Sequence, residues 1–142
     1  MSEQNETQQP TAKYKLAVVG SREFKNEQQV FQILDAAKDS ITLVISGGAT
    51  GADTLAERWA DINKKSKYII RPDWHPNGKY DKGAGFKRNI EIVKACDRCI
   101  AFWDGSSKGT MNTIDHCLRL QKPYFVVTQE PVVVAEPVDS PF

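Results

Sequence analysis

Short, nearly continuous apolar runs alternate along the chain with longer stretches whose apolar positions recur at helical spacing. Lys15 to Val19 (Lys-Leu-Ala-Val-Val) closes on Gly20 and predicts a strand buried on both faces. From Asn26 to Asp39, Val30, Ile33, Leu34 and Ala37 fall on one side of a helix. Ile41 to Ile45 predicts a second strand, and Ala52, Leu55, Ala56 and Trp59 stripe the next helix, with Trp59 as core packing. Lys67 to Ile70 reads as a third strand, and Arg71 to Ala84, with Pro72 and Pro76, as a long loop. Phe86 to Ala95 is helical and Cys99 to Trp103 is the fourth strand. Met111, Ile114, Cys117, Leu118 and Gln121 line a last helix, and Tyr124 to Val127 forms the fifth strand. Strands alternating with helices over short links predict an α/β domain: a mainly parallel sheet of about five strands with helices on both faces.

The ends do not share this pattern. Residues 1–12 are rich in Gln, Glu, Asn and Ser and are expected to be a disordered tail. The ordered domain is expected over residues 13–128. Residues 129–142 form a tail in which Pro131, Pro137 and Pro141 surround Val132, Val133 and Val134; it is either disordered or an edge strand for a neighbouring subunit. At 142 residues the chain is one domain, and its 40% hydrophobic and 26% charged residues are those of a soluble globule. No apolar stretch is long enough to span a bilayer and the start is not signal-like, so a cytoplasmic location and no membrane partner are expected. A net charge of +1 gives no electrostatic case for nucleic acid, which is expected not to be a partner.

Three cysteines fit a reducing compartment. Cys96 and Cys99 are spaced as CxxC, with His116 and Cys117 later, but they fall at a helix end and within a strand rather than on a metal-binding turn. Free thiols are expected, with no metal and no cofactor.

The chemistry lies in the glycine turns. Ser46-Gly47-Gly48-Ala49-Thr50-Gly51-Ala52-Asp53 and Asp104-Gly105-Ser106-Ser107-Lys108-Gly109-Thr110 each join an apolar strand to a helix, and Gly20-Ser21-Arg22 follows the first strand. Such turns aim free N–H groups and a helix dipole at one point, which suits an anion, most often phosphate. Lys108 sits inside the second turn, which lacks P-loop spacing, so magnesium-dependent nucleotide hydrolysis is not expected. Arg22 and Arg88 offer guanidinium groups that grip phosphate bidentately. Trp74, His75 and Tyr80 on the long loop either stack on a base or anchor the loop itself.

The order Gly20-Ser21-Arg22-x-Phe24, Ser46-Gly47-Gly48-Ala49-x-Gly51-Ala52-Asp53-x-x-Ala56-Glu57, Pro72-Asp73-Trp74, Gly83-x-Gly85-x-x-Arg88-Asn89 and Gly105-x-x-x-Gly109-Thr110 resembles the SLOG superfamily and, within it, the small YspA-like branch. That superfamily of Rossmann-like domains includes the Lonely Guy phosphoribohydrolases and the DprA proteins. The resemblance implies that Gly47, Gly48, Gly51, Gly105, Gly109 and Thr110 face phosphate, with Ser21 and Arg22 closing the pocket. It also implies a homo-oligomer, dimer or tetramer. Gly20, Ser46, Asn89, Asp104, Ser106 and Lys108 complete the expected ligand-binding set with Asp53, Trp74 and Arg88.

The chain departs from the Lonely Guy pattern at one position. Three residues after the Gly-Thr pair those enzymes carry a glutamate, and here Thr113 stands instead. An oxocarbenium-like transition state needs a carboxylate, which threonine does not supply. Catalysis would fall to Glu57, Asp53 or Asp104, with Arg88 at the position of the hydrolases' arginine. Asp53 otherwise serves its helix dipole or meets ribose hydroxyls. Two functions stay open: capture of a nucleotide, ADP-ribose-like or cyclic signal for sensing or sequestration, and cleavage of an N-glycosidic bond. The missing glutamate favours the first.

Overall fold

The computed structural model describes residues 12–129; the expectations for Met1–Thr11 and for the tail beyond Gln129 lie outside the described residues. Strands and helices alternate in the order β1 (Tyr14–Gly20), α1 (Glu27–Ala36), β2 (Ile41–Ser46), α2 (Ala52–Ile62), β3 (Ser66–Ile69), α3 (Ala84–Ala95), β4 (Arg98–Trp103), α4 (Lys108–Arg119) and β5 (Tyr124–Thr128). Short 3-10 turns occupy Lys38–Ser40 and Pro76–Gly78. All ladders are parallel, and the strand order is β3-β2-β1-β4-β5. The chain therefore winds outward from β1 to β3 and returns to the other side of β1 as β4. Connections diverge between β1 and β4, which opens a crevice at the carboxyl ends of those strands.

Alternation along β1 explains the two layers. Leu16 and Val18 point into a core shared with Val30, Leu34, Ala56 and Trp59 of α1 and α2. Ala17 and Val19 point the other way, towards Ile92 and Val93 of α3 and Ile114 and Cys117 of α4. Both faces are apolar because helices cover both. Trp59 is fully buried and donates its indole N–H to Asp35 at 2.8 Å, so its polar atom is satisfied inside the core. Truncating a side chain so placed costs about 3–5 kcal/mol.

The last helix differs from its expected stripe. Its buried positions are Thr110, Thr113, Ile114 and Cys117, while Met111 and Leu118 are exposed. Gln121 lies past the helix end with φ 56°, and the Lys122 N–H reaches back to the Cys117 carbonyl at 2.9 Å, which ends the helix. Two of the four buried positions are threonines, and both line the cleft, so hydropathy alone does not mark this face. All three cysteines are free and buried, Cys96 and Cys99 beside α3 and β4 and Cys117 on α4.

Candidate functional site

Three strand-end turns are pulled together by main-chain bonds. Gly20 stands opposite Phe102 in the β1–β4 ladder, and the Ser21 N–H continues that ladder to the Phe102 carbonyl at 2.9 Å. The Ser21 hydroxyl accepts the Asp104 N–H at 3.0 Å, which joins the turn after β1 to the turn after β4. Gly51, with φ +81°, packs so closely on the Ser21 and Arg22 carbonyls that any Cβ there would overlap them. Glycine at position 51 is thus required by the approach of protein to protein. Above these turns a cleft of about 490 Å³ opens between the starts of α3 and α4.

The turn after β2 is closed from within. Asp53, in the first turn of α2, folds back so that Oδ2 accepts the Gly47 N–H at 2.9 Å and the Ala49 N–H at 3.3 Å. Burial pushes its carboxyl up to about 6, against the Ala49 and Gly47 N–H groups and the Arg88 charge, which pull it down. Arg88 is held by protein as well. Its Nη1 donates to the Gly47 carbonyl at 2.5 Å and the Ile70 carbonyl at 3.3 Å, and its Nε to Asn89 Oδ1 at 3.0 Å. Burial also lowers its pKa from the ordinary arginine value. Ser46, at the end of β2, donates to Glu57 at 2.5 Å, and neither residue lines the cleft.

The turn after β4 repeats the device at the surface. Asp104 Oδ1 accepts the Ser106 N–H at 2.9 Å and the Ser107 N–H at 2.8 Å, and these bonds hold its carboxyl below the usual range. Gly105 turns the chain at φ +90°. Ser107 caps α4 by accepting the Thr110 N–H at 3.3 Å. Thr113 lines the cleft, and its hydroxyl donates to the Gly109 carbonyl at 3.2 Å. Asn89 ties α3 to α4 by donating to the Gly109 carbonyl at 3.2 Å and to Asn112 at 3.1 Å.

The mouth is aromatic and cationic. Trp74 stacks on Tyr80 with ring centroids 6.3 Å apart and planes 12° from parallel, and His75 leans on the same tyrosine. Asp81 anchors this loop to α3, accepting the Gly83 N–H at 2.9 Å and bonding Lys87 at 2.6 Å. Trp74, Phe86, Arg22 and Lys82 are all exposed and line the opening.

Of the residues expected from sequence, the structure brings Gly20, Arg22, Asp53, Trp74, Arg88, Asn89, Asp104, Gly109 and Thr110 to the cleft wall. Ser21, Ser46, Gly47, Gly48, Gly51, Gly105, Ser106, Lys108 and Glu57 are not in that wall. Gly48, at φ +74°, lies against Arg71 and Ile69. Sequence reasoning passed over Glu23, Lys82, Phe86 and Ser107 as site residues. An aromatic and a lysine beside Gly83 and Gly85, at the start of a helix facing the switch point, were the available signal for Phe86 and Lys82. Among the described residues no group of three His, Cys, Asp or Glu side chains is arranged to hold a metal ion, and no helix is long and apolar enough to cross a membrane.

A five-stranded parallel sheet between two helical layers, with its cleft at the switch point, defines a Rossmann-like α/β protein. The profile of the YspA, cpYpsA-related SLOG family (YAcAr) matches residues 14–76. The gene 61 protein of Mycobacterium phage D29 is 37% identical over 117 residues, covering 74% of this chain and 86% of the phage protein. The chain belongs to the YspA, cpYpsA-related SLOG family. Among solved structures, DNA processing protein A (DprA) from Streptococcus pneumoniae superposes with a TM-score of 0.68 at 19% identity, over 88% of this chain and 53% of that one. This chain thus spans about half the length of the pneumococcal protein. DprA from Helicobacter pylori gives a TM-score of 0.65 at 21% identity, over 89% of this chain and 69% of that one. At these identities the likeness is one of fold.

One expectation is overturned. Nucleic acid was excluded as a partner on a net charge of +1, yet the H. pylori protein of this fold has a single-stranded DNA binding mode. Total charge is a poor guide because it says nothing of where charges sit. Here Arg22 and Lys82 both line the cleft, with Glu23 beside Arg22 in sequence.

Proposed function

We propose that the protein binds a nucleotide-derived small molecule in the cleft and holds it without cleaving it, to sense or sequester it. One observation carries this reading: a single cleft of about 490 Å³ combines exposed aromatic faces (Trp74, Phe86), cations (Arg22, Lys82) and the starts of two helices (Gly85 of α3, Gly109 of α4). Base, sugar and phosphate each have a chemically matched surface there. Thr113 argues for retention over cleavage, since it occupies the cleft wall with its hydroxyl turned to the Gly109 carbonyl. The carboxylates of Asp53 and Asp104 are engaged in holding their own turns. Incubation with a panel of nucleotides, followed by chromatography of the ligand recovered after denaturation, tests the reading. Intact ligand is expected; free base plus ribose phosphate would instead show a glycosidic hydrolase.

A second reading has its own support. Trp74, Tyr80 and Phe86 are exposed, with Lys79, Lys82 and Lys87 beside them in sequence, which is the composition of a stacking platform for single-stranded nucleic acid. Fluorescence anisotropy with a short labelled single strand, repeated across salt concentrations, separates it from the first. A salt-sensitive rise in anisotropy that a mononucleotide does not compete away would favour the strand.

A further inference from the structure

The cradle after β2 already holds an anion, and it is the protein's own. Two N–H groups of this glycine turn, those of Gly47 and Ala49, are taken by one oxygen of Asp53, Oδ2. Arg88 fixes the turn from the other side through the Gly47 carbonyl, so the cradle is fastened at both ends. A Cβ at Gly47 would lie 2.5 Å from Arg88 Nη1 and 3.0 Å from Asp53 Oδ2, which shows how little room remains. The other oxygen, Oδ1, has no donor among the described residues. Yet among the described residues no buried side-chain oxygen or nitrogen lacks a partner, and Asp53 lines the cleft. Oδ1 therefore opens into the cleft as a free acceptor.

We infer that Asp53 determines which part of a ligand enters at the β2 turn: its carboxylate admits a hydroxyl-bearing group such as a ribose diol and excludes a phosphate. A hydroxyl donates to Oδ1 in a charge-assisted bond. A phosphate meets a second negative charge at contact distance and finds the Gly47 and Ala49 N–H groups already used. The inference deepens the nucleotide reading and rests on it for the nature of the ligand. It narrows the preferred class to nucleoside monophosphates, whose one phosphate lies towards Arg22 and Lys82 at the mouth. Diphosphates gain nothing from a second charge directed at β2.

The test compares wild type, Asp53→Asn and Asp53→Ala by calorimetry with AMP, ADP and inorganic pyrophosphate, with the Gly47 and Ala49 amide resonances as local reporters. Asparagine keeps an acceptor for the turn and removes the charge, so it guards against collapse of the alanine variant. Wild type is expected to bind ADP within about threefold of AMP and to show no pyrophosphate shift at those amides. Both variants are expected to raise the ADP-to-AMP affinity ratio at least tenfold and to bring the two amides under pyrophosphate control. Wild type binding ADP tenfold more tightly than AMP with those amides shifting, or folded variants without any gain, overturns the inference. If the variants gain pyrophosphate while no form binds a nucleotide, the specificity role stands and the nucleotide reading falls. If wild type binds AMP and the variants behave like it, the reverse holds.

Discussion

The Ser21 hydroxyl accepts the Asp104 N–H at 3.0 Å, a single bond across 83 residues that fixes the turn after β4 against the turn after β1. Ser21 is 1% exposed, so no water readily replaces its oxygen. Ser21→Ala is expected to cost about 1–2 kcal/mol by leaving that N–H unsatisfied, and to weaken ligand binding by loosening the β4 turn. Urea denaturation alongside ligand titration measures both. Unchanged stability would mean that the Asp104 turn holds its shape without the bond.

Arg22 and Arg88 line one cleft and should fail differently. Arg88 supports two carbonyls from separate turns, whereas no side-chain bond involving Arg22 is present among the described residues. Arg88→Ala should lower stability by about 2–3 kcal/mol and reduce binding with it. Arg22→Ala should leave stability within about 0.5 kcal/mol and lower ligand affinity tenfold or more. Equal effects of the two changes on the denaturation midpoint would contradict this division.

Two glycines separate fold from function. Gly51→Ala forces a Cβ onto the Ser21 and Arg22 carbonyls at φ +81° and should cost more than about 2 kcal/mol. Gly109→Val adds its side chain where nothing lies within 4 Å, on the cleft wall. Circular dichroism should therefore show a stable Gly109→Val fold, while calorimetry shows binding lost. Ligand affinity within about twofold of wild type would remove Gly109 from the site.

The Asp53 carboxyl gives stability a pH dependence of definite sign. Burial raises it from 3.8 to about 6, with Arg88 opposing the rise and Glu57 adding to it. The folded state holds this proton more tightly than the unfolded chain. Its contribution is fully present below about pH 4 and is lost as pH rises to about 6, a difference of roughly 3 kcal/mol. Denaturation midpoints between pH 4 and 7.5 should fall for wild type relative to Asp53→Asn. Parallel profiles would show that the carboxyl titrates normally.

The strands were legible because a sheet covered on both faces needs apolar runs, and Leu16 to Val19 or Ile100 to Phe102 have no other use. The far face of α4 was not legible. Thr110 and Thr113 are buried there, and hydropathy ranks them below the exposed Met111 and Leu118. The glycine turns were found correctly as turns, but sequence cannot tell a glycine that admits a ligand from one that admits a neighbouring strand end. Gly20 and Gly51 are of the second kind, each pressed against a backbone carbonyl. Asp53 shows the same limit. Its place in the first turn of α2 was evident, whereas its backward reach to Gly47 depends on a side-chain direction that spacing does not encode.

The three buried thiols give the α3 and α4 layer a chemical clock. Burial pushes Cys96 up to about 11, and Cys99 is raised by its bond to Cys117 and by full enclosure. That same bond lowers Cys117, but all three sulfurs are buried, so a closed molecule presents almost no thiol to an alkylating reagent and labelling proceeds only as fast as this layer parts from the sheet. The cleft wall is built from the first turns of the same two helices. A ligand seated between them should slow alkylation of Cys96 and Cys117, each four residues and about 6 Å of helix beyond a cleft-lining residue, Ile92 or Thr113, so the rate of thiol loss becomes a binding signal.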